Sequence, residues 1–233
     1  MRHKERTILR RSKTRACAGP LVLVLLLSVL GGCATGVKKQ TLAPEPAVTI
    51  GPAKEPVVAR LEDGREGFII TEVPRMDEAS QRDFDRAVTL LKNEEYDEAI
   101  ALLERVTGMS PGVTAPYVDL AIAYRHTGSL KQAEENLKTA LELFPGHPVA
   151  SNEYGLVYRR TGRFDEARAM YEKALARFPD YYPAHRNLGI LCDLYMNDLS
   201  CALEHYEIYG EANPSDEQVK LWIADLHARL GRD

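Results

Sequence analysis

The side chains best suited to covalent chemistry in this 233-residue sequence are its four cysteines, Cys17, Cys33, Cys192 and Cys201. A cysteine can carry lipid, close a disulfide or hold a soft metal. None of the four stands in the C-x2-C spacing that zinc sites use. The six histidines are scattered; His126, His147 and His185 are expected at helix ends or on helix faces, solvated or partly packed. No glycine-rich phosphate loop and no HExxH occurs. Acidic pairs such as Glu134-Glu135 read as solubilising charge on an exposed helix face. The sequence therefore predicts no catalytic set, no metal site, no cofactor and no small-molecule substrate.

What surrounds each cysteine separates their fates. A basic stretch runs to Arg15, an apolar run from Leu21 to Leu30 follows Pro20, and Leu30-Gly31-Gly32-Cys33 comes next. This is the layout of a secretory signal peptide, residues 1–32. The apolar run is half of the roughly 20 residues that a membrane span needs. Leu30-Gly31-Gly32-Cys33 resembles the bacterial lipobox. The resemblance implies cleavage before Cys33, a diacylglycerol thioether on its sulfur and acylation of the new N-terminus. Two or more acyl chains anchor stably, at about 0.8 kcal/mol per buried methylene. Ala34 after the cysteine is similar to Gram-negative lipoproteins sorted to the outer membrane, which places the protein at its periplasmic face. Cys17 leaves with the signal peptide.

Residues 1–32 hold seven of the 30 Lys/Arg and one of the 34 Asp/Glu, so the remainder carries ten more acids than bases. Such a chain is a poor ligand for phosphate backbones, which excludes nucleic acid as the expected partner. Residues 33–79 contain Pro44, Pro46, Pro52, Pro56 and Pro74. The stretch from 34 to about 60 reads as a disordered tether, and "GFIITEV" at 67–73 as a short strand without a strand partner.

The rest of the chain is periodic. Ala99, Ala133 and Ala167 are 34 residues apart, and so are Pro111, Pro145 and Pro179, and Tyr96, Leu130 and Phe164. Ala87, Ala121 and Gly155 repeat upstream, and Gly128 and Gly162 fall at mid-unit. Small residues permit close helix crossing, glycine closes the first helix and proline stops the second. The pattern resembles the tetratricopeptide repeat, a 34-residue pair of helices A and B. It predicts an all-α solenoid over 80–233, with units at about 80–113, 114–147, 148–181 and 182–215. A capping helix at 216–231 follows, opened by a Ser215–Gln218 pair. The fourth unit's turn, around Tyr195 to Asn197, has one extra residue. Cys192 and Cys201 flank it, either bonded or as two separate thiols.

In this family a concave face lined by helix A binds proteins or peptides. Register places Ile122 and Arg125 there from unit two. Asn152, Leu156, Arg159 and Arg160 come from unit three, and Arg186, Asn187 and Ile190 from unit four. Arginine can clasp carboxylates and asparagine can hold a peptide backbone; pairing of these arginines with Asp119, Glu153 and Asp193 is the alternative. The resemblance implies an envelope scaffold or assembly factor, pilotin-like or serving another complex. An adaptor that recruits peptidoglycan enzymes or an energy-coupling complex is the second expectation.

Overall fold

The computed structural model describes residues 57–60, 68–71 and 75–231. The expected signal peptide, Cys33 and most of the expected tether lie outside the described residues. Two short strands come first, β1 (Val57–Arg60) and β2 (Phe68–Thr71), paired antiparallel with Val57 opposite Thr71. The strand expected at 67–73 thus has a partner, and that partner falls in residues read as tether. Four consecutive residues with two β-branched valines suffice for one side of a hairpin once a second strand supplies the hydrogen bonds.

Nine helices follow among the described residues: α1 (Glu78–Lys92), α2 (Tyr96–Met109), α3 (Thr114–Thr127), α4 (Leu130–Leu143), α5 (Pro148–Arg160), α6 (Phe164–Arg177), α7 (Tyr182–Leu191), α8 (Leu199–Ala212) and α9 (Glu217–Leu230). They pack as the antiparallel pairs α1/α2, α3/α4, α5/α6 and α7/α8, with α9 laid on α8. None of the described helices is long and apolar enough to cross a membrane. The result is an all-α solenoid.

Local chemistry explains the breaks. Asp77 starts α1 by accepting from the Ser80 amide at 2.8 Å, and Pro148 opens α5. Gly128 and Gly162 sit at φ +84° and +77°, the left-handed conformation that closes helix A. The closing bond recurs, Ser129 N donating to Tyr124 O and Arg163 N to Tyr158 O. Glu94 holds the matching left-handed place in the first unit. In the fourth unit the extra residue widens the last turn of helix A into a π-helical stretch, Cys192–Met196, and Asn197 takes the left-handed position. Its closing bond runs from Asp198 N to Cys192 O at 2.9 Å. The cap of α9 is Asp216, whose Oδ1 accepts from the Gln218 and Val219 amides, in place of the Ser215–Gln218 pair. An ionised carboxylate at a helix start is the stronger acceptor. His147 and His185 are buried, more fully packed than the solvated or partly packed rings expected. His147 Nδ1 caps α5 through the Ala150 amide, and burial lowers its pKa to about 4.

Cys192 and Cys201 are joined by a disulfide, with Cα atoms 5.9 Å apart, across this irregular turn. Closing so short a loop contributes about 2–3 kcal/mol in the chain-entropy model. Reduction is therefore expected to raise amide exchange in α8 and α9 by about 30- to 100-fold while α3 to α6 keep their protection. Hydrogen exchange with and without a reductant reads this directly, and uniform loosening of all helices would refute it.

The interior is divided. A large core runs through α3 to α9, with Leu137, Val157, Tyr171, Leu188 and Tyr206 at its centre. The first pair has a small core of its own: Ala87, Leu90, Ala99 and Leu103, closed by Leu120.

Candidate functional site: the inner helix face

From α1 to α7 the A helices approach one another from pair to pair more closely than the B helices do. The stack therefore curves with the A helices on its inner side. Ile122, Leu156 and Ile190 stand one per unit on α3, α5 and α7, each part-exposed. Beyond them Leu194 and Tyr195, in the π-helical turn, are 67% and 47% exposed.

The polar residues expected in the groove are largely engaged with one another. Arg125 Nε donates to Glu153 Oε2 at 2.8 Å, joining α3 to α5. An Arg160 NH group donates back to the Arg125 carbonyl. Asn187 Nδ2 donates to Asn152 Oδ1 at 2.9 Å, and Arg159 reaches the Asn187 carbonyl at 3.5 Å, joining α5 to α7. The Arg186 guanidinium lies 5.4 Å from the Trp222 ring centre and 6.0 Å from that of Tyr209. Several of these side chains thus stitch successive helices together. Asp193 is also taken, by Arg229 of α9 at 2.8 Å.

Under this layer, two tyrosines occupy space that glycines vacate. The Tyr171 ring of α6 crosses Gly155 of α5, and a Cβ placed there would lie 2.4 Å from Tyr171 Cε1. The Tyr206 ring of α8 crosses Gly189 of α7 in the same way, at 2.5 Å. In the first two units the same two positions hold Ala87 with Leu103 and Ala121 with Leu137, all buried.

Two carboxyls sit beneath the inner face. Burial raises the pKa of Glu153 above its usual value, while Arg125 pulls it the other way. Asp119 makes no hydrogen bond or ion pair among the described residues, and desolvation followed by Glu153 pushes its pKa up to about 7. Of the three acids that could neutralise the groove arginines from within, Glu153 and Asp193 each hold one arginine and Asp119 holds none. No tetrad of metal-ligand geometry arises on this face among the described residues. The one candidate grouping among them, Cys192, Asp198 and Cys201, has its sulfurs committed to the disulfide.

The tetratricopeptide repeat family model matches residues 112–180 and 148–207. Over that stretch the helix pairs resemble tetratricopeptide repeats. No curated protein matches the chain by sequence. Among solved structures, the repeat array is similar to pilF of Pseudomonas aeruginosa, with a TM-score of 0.60 and 23% identity over 66% of this chain and 69% of that one. It is similar to MamA, residue 41 to the end, from Desulfovibrio magneticus RS-1, with a TM-score of 0.58 and 19% identity over 68% and 89% of the two chains. It is also similar to Naa15/Naa10 bound to HypK-THB, with a TM-score of 0.53 and 21% identity over 66% of this chain and 23% of that one. At these identities the likeness is one of fold. An array of this kind is suited to protein–protein interaction.

Proposed function

We propose that the protein is a lipoprotein held at the periplasmic face of the outer membrane through Cys33. Its repeat array grips a protein or peptide on the inner face, as a scaffold or assembly factor for an envelope complex. It carries out no catalysis of its own. The observation that supports this reading most is the part-exposed row Ile122, Leu156 and Ile190 along the inner face. Leu194, one helical turn beyond Ile190, is a large apolar side chain left open to solvent. A regular aliphatic row between polar helix stitches is what an apolar peptide face docks onto. One structural neighbour, Naa15/Naa10, is itself bound to another protein, HypK-THB.

A photocrosslinker placed at Leu156 in cells is expected to capture one defined envelope protein. The same group at Glu142, exposed on α4, is expected to capture none of it. Equal capture at both positions, or capture of abundant proteins alone, would overturn the groove reading. Labelled palmitate is expected to enter the wild-type chain and to be absent from Cys33→Ala; labelling of both would overturn the anchor. If the captured protein is a peptidoglycan hydrolase, the array acts as a recruiting adaptor; if it is a pore or pilus subunit, as an assembly factor.

A further inference from the structure

The inner face is stitched along a fixed diagonal. Arg125 reaches Glu153, 28 residues on, and Arg159 reaches the Asn187 carbonyl, again 28 residues on. Run one unit back, the same diagonal ends at Asp119 and begins at Leu91, which the 34-residue period puts where Arg125 stands in the next unit. Leucine cannot supply a cation. Asp119 is accordingly the carboxyl to which the repeat gives no donor, and none of the described residues hydrogen-bonds or pairs with it. Its nearest charged influence is Glu153, of its own sign and already engaged by Arg125.

A second polar group, which shares Glu153 as a charged influence, is also unsatisfied. The Tyr171 hydroxyl is wholly buried and has no hydrogen-bond partner among the described residues. Its ring lies against Gly155 of α5, and Arg159, Glu153 and Arg125 are the charges that act on it. A part-buried, unpaired carboxyl and a wholly buried, unpaired hydroxyl each carry a cost alone. Their presence under one face, with a missing cation defined by the repeat itself, describes a socket that something else completes.

We infer that Asp119 is the anchor for a lysine or arginine side chain of the bound peptide, entering the inner face between α3 and α5 where the diagonal lacks its arginine. The inference rests on the groove reading above and narrows it. The partner is a peptide with apolar residues along the Ile122–Leu156–Ile190 row and one basic residue at a fixed register. The ten-charge acidic excess of the chain beyond residue 32 favours such a partner.

The test uses the full chain and a positional-scanning library of 12-residue peptides, with each position fixed in turn as Lys, Arg, Leu or Asp. Wild type is expected to select Lys or Arg at one position. Asp119→Asn is expected to lose that preference, with affinity for the selected peptide falling about 10- to 100-fold, the range of a hydrogen bond to a charged group. Leu91→Arg, which restores the internal cation, is expected to give the same loss in a folded protein. Both variants keep their selection for apolar residues elsewhere. If wild type binds no peptide, the groove reading itself fails. Binding without a basic preference, or a preference that survives both substitutions, overturns this inference alone. Saturable binding of Ca2+ without peptide, abolished by Asp119→Asn, would also overturn it, in favour of a metal.

Discussion

Gly155→Ala is expected to destabilise the array by about 2 kcal/mol, although alanine is the better helix former. The two effects oppose each other. Replacing a mid-helix glycine gains about 0.5–1 kcal/mol. The new Cβ, however, would lie 2.4 Å from Tyr171 Cε1 and 2.7 Å from Cζ, and that ring is fully enclosed and cannot withdraw. Overpacking of this kind costs about 1–3 kcal/mol, sometimes more. Tyr171→Leu alone is expected to cost about 2–4 kcal/mol through the void left over Gly155. The double variant Gly155→Ala/Tyr171→Leu recreates the Ala121–Leu137 pair of the unit before. It is expected to lie within about 1 kcal/mol of wild type, which makes the two changes strongly coupled. Urea unfolding followed by two independent probes measures all three. Additive losses would show that the ring and the glycine do not compete for the same space.

Asp119→Asn is expected to stabilise the protein at pH 7.5. The Asp119 pKa stands at about 7 in the folded chain against 3.8 for an unperturbed aspartate, first because of burial and then because of Glu153. Between those values the folded state holds a proton that the unfolded state has released. Stability from this group is therefore full below about pH 4 and is lost as pH rises toward 7. A shift of this size corresponds to about 4 kcal/mol at 1.36 kcal/mol per unit; part exposure of the carboxyl reduces it to about 2. Asparagine keeps the shape and removes the titration. The variant and wild type should have equal stability near pH 4, diverge up to about pH 7 and keep a constant difference above it. Parallel stability curves for the two proteins would mean that the carboxyl is solvated or paired. A residue that weakens the fold at the pH where it is charged, and that no internal partner relieves, is what a binding site retains and a core discards.

How legible this was in the sequence differs from element to element. The 34-residue period determines the helix pairs because each pair needs the same few side chains at the same offsets, and those offsets are linear in the chain. The irregular fourth turn is visible as one surplus residue, though not its π-helical form. The β1 strand is not visible: Val57–Arg60 follows a proline-rich stretch, and a strand this short is defined by its partner, not by its composition. The groove is legible as a list of positions and illegible as a set of interactions. Arg125 and Glu153 meet because of the superhelical pitch, which relates residues 28 apart, and no local pattern encodes that number. Without it, Asp119 looks like one more acid beside the arginines. With it, Leu91 becomes the informative residue. The exchange of Ala–Leu for Gly–Tyr between the early and late units is plain in the residues themselves. It acquires meaning only once the ring is seen to lie on the glycine.

The division of the interior into two cores has a mechanical meaning. The pair α1/α2 has its own small core cluster of five side chains, one of them borrowed from α3, whereas α3 onward shares a single larger core. Tension applied from the N-terminal side meets that first pair before anything else. It should give way at low force and release its 32 residues, Glu78–Met109, as about 100 Å of slack at 3.3–3.6 Å each. The remaining coils, and whatever they hold, would ride out the pull intact, with the leading pair serving as a shock absorber that rewinds when the load is gone.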